Sequence, residues 1–147
     1  MRVSAKADYA VRAMIELAAG GTEGEPCKGE LIAEAQDIPM PFLENILAEL
    51  RHHGLVQSRR GAQGGYWLAR LPSEVTIADV IRAVEGPLAS VRGERPDELR
   101  YRGSAEPLQR VWMALRSNIR DVLERTTLAD VVADDLPADV VALLRRS

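Results

Sequence analysis

Arg59 and Arg60 stand directly before a glycine-rich run, Gly61-Ala62-Gln63-Gly64-Gly65, and an alternating aromatic and apolar segment, Tyr66-Trp67-Leu68-Ala69-Arg70, follows it. Guanidinium groups carry a fixed positive charge and a fork of donors that matches phosphate oxygens. Their placement at a glycine-rich tip is chemistry for holding a polyanion, not for making or breaking a bond. Between Arg51 and Pro72 there are four arginines (Arg51, Arg59, Arg60, Arg70) and no acidic residue, with His52 and His53 able to add charge at lower pH. The whole chain carries −3, so this +4 segment leaves −7 on the rest. A basic strip on an acidic body points to one sited contact with nucleic acid; a chance cluster is the plain alternative.

Elements that could position the strip are legible on both sides. Leu55–Ser58 and Tyr66–Ala69 read as the two strands of a hairpin closed by the glycines. Before them stand two short helical patterns, Lys28–Gln36 and Met40–His53. Leu31, Ile32 and Ala35 are expected inward on the first, and Phe42, Leu43, Ile46, Leu47 and Leu50 form one stripe on the second. Ile38 should plug the junction between them, and Pro39 and Pro41 open the second, where a missing N–H costs nothing. Helix, turn, helix and basic hairpin, in that order, make a winged helix-turn-helix, whose wing suits a nucleic-acid groove. The opposite face of the second helix shows Met40, Glu44, Asn45, Ala48 and Glu49.

The remaining elements follow from periodicity and caps. Ser4 is a suitable N-cap for a first helix to Ala19, with Ala10, Val11, Met14, Ile15 and Ala18 inward. Thr76-Ile77-Ala78-Asp79 and Thr127-Leu128-Ala129-Asp130 are capping boxes with Asp as the reciprocal acceptor. The first starts a helix that Glu85-Gly86-Pro87 ends. Val91–Glu106 is charged and aperiodic and reads as a solvated loop. A long helix spans roughly 106–125, with Leu108, Val111, Trp112, Leu115, Ile119, Val122 and Leu123 on one stripe, and a last amphipathic turn or two covers Ala138–Arg145. At about 25 cal/mol per Å² of apolar surface, burying that stripe against a second copy would supply many kcal/mol; folding back on its own domain is the alternative.

The expected organisation is a winged helix-turn-helix domain over 1–88, a loop over 89–105, and a dimerisation helix with short C-terminal helices over 106–147. The fold class is mainly α with one small β-hairpin. No apolar run approaches the roughly 20 residues needed to span a bilayer, and the N-terminus lacks the apolar centre of a secretory signal, so a cytoplasmic location is expected. Cys27 is the only cysteine, which excludes an intramolecular disulfide.

Several motifs together resemble the Rrf2 family of bacterial transcription regulators: the opening Met1–Met14, then Phe42-Leu43-Glu44, Gly54-Leu55-Val56, Arg60-Gly61 with Gly64-Gly65-Tyr66, and Ala69-Arg70. Thr76–Ile81, Glu85-Gly86-Pro87-Leu88 and Thr127–Val131 extend the likeness over about nine-tenths of the chain. The resemblance implies a homodimeric repressor acting on double-stranded DNA at a palindromic operator. Its long helix would cross to the partner, its second helix-turn-helix helix would lie in the major groove, and its wing in the adjacent minor groove. Carried over by position, Ser4, Lys6, Tyr9 and Lys28 match backbone-facing positions, Met40, Pro41, Glu44 and Asn45 the base-reading face, and Arg59 and Arg60 the wing tip.

One departure is informative. Many members of the family hold an iron–sulfur cluster on three cysteines between the fourth and the long helix, and Val91–Glu106 contains none. Asp8 could match an acidic fourth ligand of some members but cannot hold a cluster alone. No cofactor and no metal are expected. The resemblance is to the cysteine-poor branch, which includes regulators of sulfur and cysteine metabolism that respond to a small molecule or an enzyme co-regulator.

Individual residues admit two readings. Asn45 could contact adenine or a phosphate, and Glu44 could accept from a cytosine amino group, or both could be an ordinary polar face. Tyr66 and Trp67 could stack on bases, but Tyr66 reads better as wing-to-core packing. His52 and His53 diverge by about 100° on a helix and cannot easily share a metal. Cys27 beside Lys28 could be a thiol sensor or an incidental loop residue. Arg95, Arg100, Tyr101 and Arg102 could form an anion pocket or a solvated loop. No nucleophile–base pair, metal-ligand spacing or phosphate-cradling loop supports an enzyme, since the glycine run lies between two strands. A protein-interaction adaptor that kept the fold and lost DNA binding is the other alternative, and the acidic Glu44 and Glu49 give it weight.

Overall fold

The computed structural model describes residues 2–147. Helix α1 (Ala5–Gly20) starts at Ser4, whose Oγ accepts from the Ala7 N–H at 3.0 Å. Ala7, Ala10, Ala13, Met14 and Leu17 are buried along it, while Val11, Ile15 and Ala18 are half-buried against the same core. The buried face is therefore rotated from the expected one. The reason is that α1 is central, packing on α2, α3, α4, α6 and β2, and small alanines let those neighbours approach closely.

Helices α2 (Gly29–Gln36) and α3 (Met40–His52) form the helix-turn-helix. Asp37 takes the left-handed conformation at φ 51°, and the Ile38 N–H returns to the Ala33 carbonyl at 2.9 Å. This αL cap satisfies α2's last carbonyls and drives Ile38 into the core. Arg12 donates to the Gln36 carbonyl at 2.6 Å, so α1 also holds the turn. Pro39 and Pro41 open α3 as expected.

Three residues expected inward lie on the surface. On α2 the inward set is Ile32 and Ala33; Leu31, one residue and about 100° away, is 58% exposed, and Ala35 is exposed too. On α3, Leu43, Ile46, Leu47 and Leu50 are buried, but Phe42 is 60% exposed, with its ring 6.5 Å from that of Tyr9.

Strands β1 (Val56–Arg59) and β2 (Gly65–Leu68) pair antiparallel from Val56 opposite Leu68 to Arg59 opposite Gly65. Cys27, expected in a loop, exchanges two backbone hydrogen bonds with Tyr66 at 2.9 and 2.8 Å, adding a one-residue third strand to the wing. The turn requires glycine at position 64, where a Cβ would lie 2.0 Å from the Arg59 carbonyl oxygen.

Both capping boxes form, starting α4 (Ile77–Glu85) and α6 (Leu128–Val132). Their caps are joined: Ile77 N–H donates to the Thr126 carbonyl at 3.0 Å and Leu128 N–H to the Val75 carbonyl at 2.9 Å. Leu128 is fully buried in the α1 core. So α6, expected to go with the long helix, packs on the winged domain instead. Residues 91–106 are less loose than their composition implies. Pro96 and Leu99 are buried, and 3-10 turns form at Pro96–Glu98 and Gly103–Ala105. Helices α5 (Leu108–Leu123) and α7 (Ala138–Leu144) complete the chain.

Candidate nucleic-acid interface

Three elements converge at Gly29. A Cβ placed there would lie 3.6 Å from the Tyr66 ring and 3.7 Å from Met40 Cε, ordinary contact distances, so the start of α2, the start of α3 and the wing pack together here. Above this junction opens a cleft of about 410 Å³. Its walls carry Lys28, Met40, Glu44, Arg51, Arg59 and Arg60, and Glu30 and Tyr66 also line it. Tyr66 packs against the core, in keeping with the wing-to-core reading.

Three of the cleft's four cations, Lys28, Arg51 and Arg59, are held by neutral partners. Lys28 Nζ donates to the Ala62 carbonyl at 2.8 Å and ties the wing tip to α2. Arg59 donates to the Glu23 carbonyl at 2.9 Å and sits 5.7 Å over the Trp67 ring. Arg51 donates to the Ser58 hydroxyl at 3.1 Å, bracing α3 against β1. Among the described residues none of these three, nor Arg60, forms an ion pair. Fixed charge with neutral partners keeps its attraction for phosphates and loses little freedom on binding.

Arg51 was counted in the basic strip but not expected in the site. Its signal was in the spacing: positions 40, 44, 47 and 51 recur at helical steps on one face of α3, and all four line the cleft.

The other expected residues lie off the cleft. Lys6 makes an ion pair with Glu49 at 2.9 Å, fastening α1 to the far flank of α3. Tyr9 lies beside Phe42 and under the Arg12 guanidinium, 4.9 Å from its ring. The Ser4 hydroxyl serves the α1 cap and also bonds the Glu85 carboxylate. Pro41 and Asn45 are exposed on α3 and do not line the cleft. Helix α3 thus presents one flank, at 40, 44 and 51, to the wing and another, at 42 and 49, toward α1.

Cys27 does not have the electrostatics of a sensor. Burial, and next the Glu16 carboxylate, push its thiol above the ordinary value, opposite to the activation expected from Lys28. His53 Nδ1 lies 2.9 Å from the Glu49 carbonyl oxygen, and the His52 ring meets that of His53 edge-on at 84°. Among the described residues no group of three or more His, Cys, Asp or Glu side chains is placed to hold a metal ion. Of the four residues considered for an anion pocket, Arg100 turns back on the Asp97 and Leu99 carbonyls, and the Tyr101 hydroxyl accepts from Trp112 Nε1 at 3.0 Å.

Helix α5 has no buried residue. Val111 is 56% exposed and Leu115 43%. Trp112, Leu115 and Ile119 line an open groove of about 370 Å³ with residues 88–91 and Pro96. Val122 faces elsewhere, sharing a cleft with Val140 and Leu143 of α7. No helix among the described residues is long and apolar enough to cross a membrane.

The family model for Rrf2, described as an iron-dependent transcriptional regulator, matches residues 3–134. The chain is 52% identical over 143 residues to a Mycobacterium tuberculosis protein provisionally named as an HTH-type transcriptional regulator, covering 97% of this chain and 88% of that one. It is 37% identical to the HTH-type transcriptional regulator CymR of Bacillus subtilis, over 90% of this chain and 91% of the relative. The solved structure of CymR, titled the global cysteine regulator of B. subtilis, superposes with TM-score 0.75 over 90% of this chain and 97% of that one, at 36% identity. The structure titled T. potens IscR gives TM-score 0.73 over 91% and 88%, at 40% identity. These relatives are regulators with the same helix-turn-helix and wing, and the chain is accordingly a member of the Rrf2 family of transcriptional regulators, not an enzyme.

Proposed function

We propose that this protein is a homodimeric repressor that grips a palindromic operator, and that the cleft between α3 and the wing is where the duplex is held. The observation that carries this reading is the set of four un-neutralised cations, Lys28, Arg51, Arg59 and Arg60, around one concave surface that also exposes Met40 and Glu44. Phosphates at the groove edge meet the cations and fix the register. Base edges meet Met40, Pro41, Glu44 and Asn45. Ser4, Lys6 and Tyr9 stand on the α1 side of the same helix, where they guide the backbone.

The dimer is built on α5. Each exposed Val, Leu or Ile that becomes fully buried contributes about 1.5–3 kcal/mol, and Leu108, Val111, Trp112, Leu115, Ile119 and Leu123 supply the stripe; Val122 adds to its own α7 side. We take residues 1–88 as the DNA-binding unit, 89–105 as the connecting segment and 106–147 as the dimer-forming part, with α6 returning to the first unit. The location is cytoplasmic, with the DNA.

An iron–sulfur cluster does not fit this chain. Such clusters need several thiolates; the sequence has one cysteine. Asp8 pairs with Arg12 at 3.1 Å. The signal therefore reaches the protein as a small molecule or a partner enzyme. By similarity to the cysteine regulator of B. subtilis, the controlled genes belong to sulfur and cysteine metabolism.

A second reading, an adaptor without DNA binding, is favoured by Glu30 and Glu44 in the cleft. Selection from a random duplex pool separates the two. Repeated rounds should enrich an inverted repeat with half-sites about one helical turn apart. A pool that stays random overturns the repressor and leaves the adaptor.

A further inference from the structure

A second cationic cleft lies apart from the first and shares no lining residue with it. Its volume is about 310 Å³, at the small end of ligand sites, which run from about 300 to 1,000 Å³. Four arginines line it: Arg82 from α4, Arg95 from the connecting segment, and Arg116 and Arg120 from α5. The backbone turn 86–89, begun by Gly86 at φ 84°, closes one side. No acidic residue lines it.

Each of the four arginines is ion-paired. Asp97 holds Arg116 at 2.6 Å and Arg95 at 3.4 Å. Glu124 pairs with Arg82 and, at 4.0 Å, with Arg120, and Asp79 reaches Arg82 at 3.7 Å. Three carboxylates thus orient four guanidiniums, leaving a surplus positive charge. Each guanidinium has five N–H donors, so one carboxylate contact leaves donors for the cleft. The Arg116 side chain is only 13% exposed, too sheltered to be a mere solvated surface charge. Arginines converging from three segments, one of them sheltered and three more exposed, can recognise oxyanions by paired hydrogen bonds.

We propose that this cleft binds a compact anion of the phosphate or carboxylate class, bridging α4 and α5. The site stands on its own geometry and does not depend on the DNA-binding reading. It uses Arg95 of the residues considered from sequence, and Arg82, Arg116 and Arg120, which no local pattern joined to it.

The test is isothermal titration of the full chain with inorganic phosphate and with citrate, against chloride at matched ionic strength. Saturable binding of one phosphate or citrate per subunit is expected, and whichever probe binds more tightly identifies the group preferred. Arg95→Gln with Arg120→Gln should weaken binding at least about tenfold, since each loses charge-assisted hydrogen bonds. Arginine side-chain N–H resonances of the unaltered protein give a second readout independent of any variant's folding. Phosphate should move those of Arg82, Arg95, Arg116 and Arg120. Absence of saturable binding by both probes, or shifts confined to Arg59 and Arg60, overturns the site.

Discussion

Removing the two wing arginines should change the salt dependence of DNA binding by a calculable amount. Each subunit brings four cleft cations that form no ion pair among the described residues, whereas Lys6 is already paired with Glu49. If all four replace counterions, a dimer contacts about eight phosphates, and log K falls with log salt at a slope of about −7. Arg59→Ala with Arg60→Ala removes about four of these and should flatten the slope to about −3.6. Between 50 and 200 mM salt, affinity would then drop about 10⁴-fold for the unaltered protein but only about 10²-fold for the variant. Both side chains are exposed, so the melting temperature should barely move. Fluorescence anisotropy with a labelled operator duplex at five salt concentrations reads the slopes. Equal slopes for the two proteins would refute the reasoning, even if the variant bound more weakly throughout, because the wing would then be acting without touching phosphate.

Three further outcomes are expected. Glu44→Gln removes a carboxylate from the cleft, so binding to non-operator duplex should tighten while discrimination at the contacted base pair falls by about 1–3 kcal/mol; a competition assay against substituted operators checks both. Leu128→Ala opens a cavity in the α1 core and should cost about 2–5 kcal/mol in a denaturant titration, whereas a value under 1 kcal/mol would mean that α6 is not part of that core. The Arg116 hydrogen bond holds the Asp97 carboxyl below its ordinary range, so this contact stabilises the folded chain above about pH 4 and is lost as pH falls through the lowered value. Melting curves of Asp97→Asn should accordingly depend less on pH below about 4 than those of the unaltered protein.

Features set by neighbours in sequence were legible. The prolines of α3, the two Thr/Asp capping boxes and the glycine turn of the wing depend on contacts a few residues apart, and all appear where expected. What escaped depends on partners far along the chain. One residue of strand, Cys27, has no periodicity of its own and is defined only by Tyr66 across the fold. The docking of α6 rests on Leu128 meeting Val75, which no local pattern relates. Leu31 and Phe42 are apolar but face outward, because residue type does not reveal which side of a short helix is covered. Of the residues lining the candidate cleft, Arg59 and Arg60 are recognisable from the wing and Met40 and Glu44 from the α3 face, Arg51 could have been found from the same face, and Lys28 comes only from the family resemblance. The order in 91–106 was hidden because Pro96 and Leu99 are two apolar residues in a charged stretch, and their cover comes from elsewhere in the fold.

Hydroxyl-radical footprinting on a selected operator tests the central claim most directly. Two cationic clefts on a symmetric pair of subunits should protect two blocks of backbone, related by a dyad and about one helical turn apart, and each block should shrink at its minor-groove edge when Arg59 and Arg60 are replaced by alanine. A single block without a dyad, or protection unaltered by that replacement, would contradict the account.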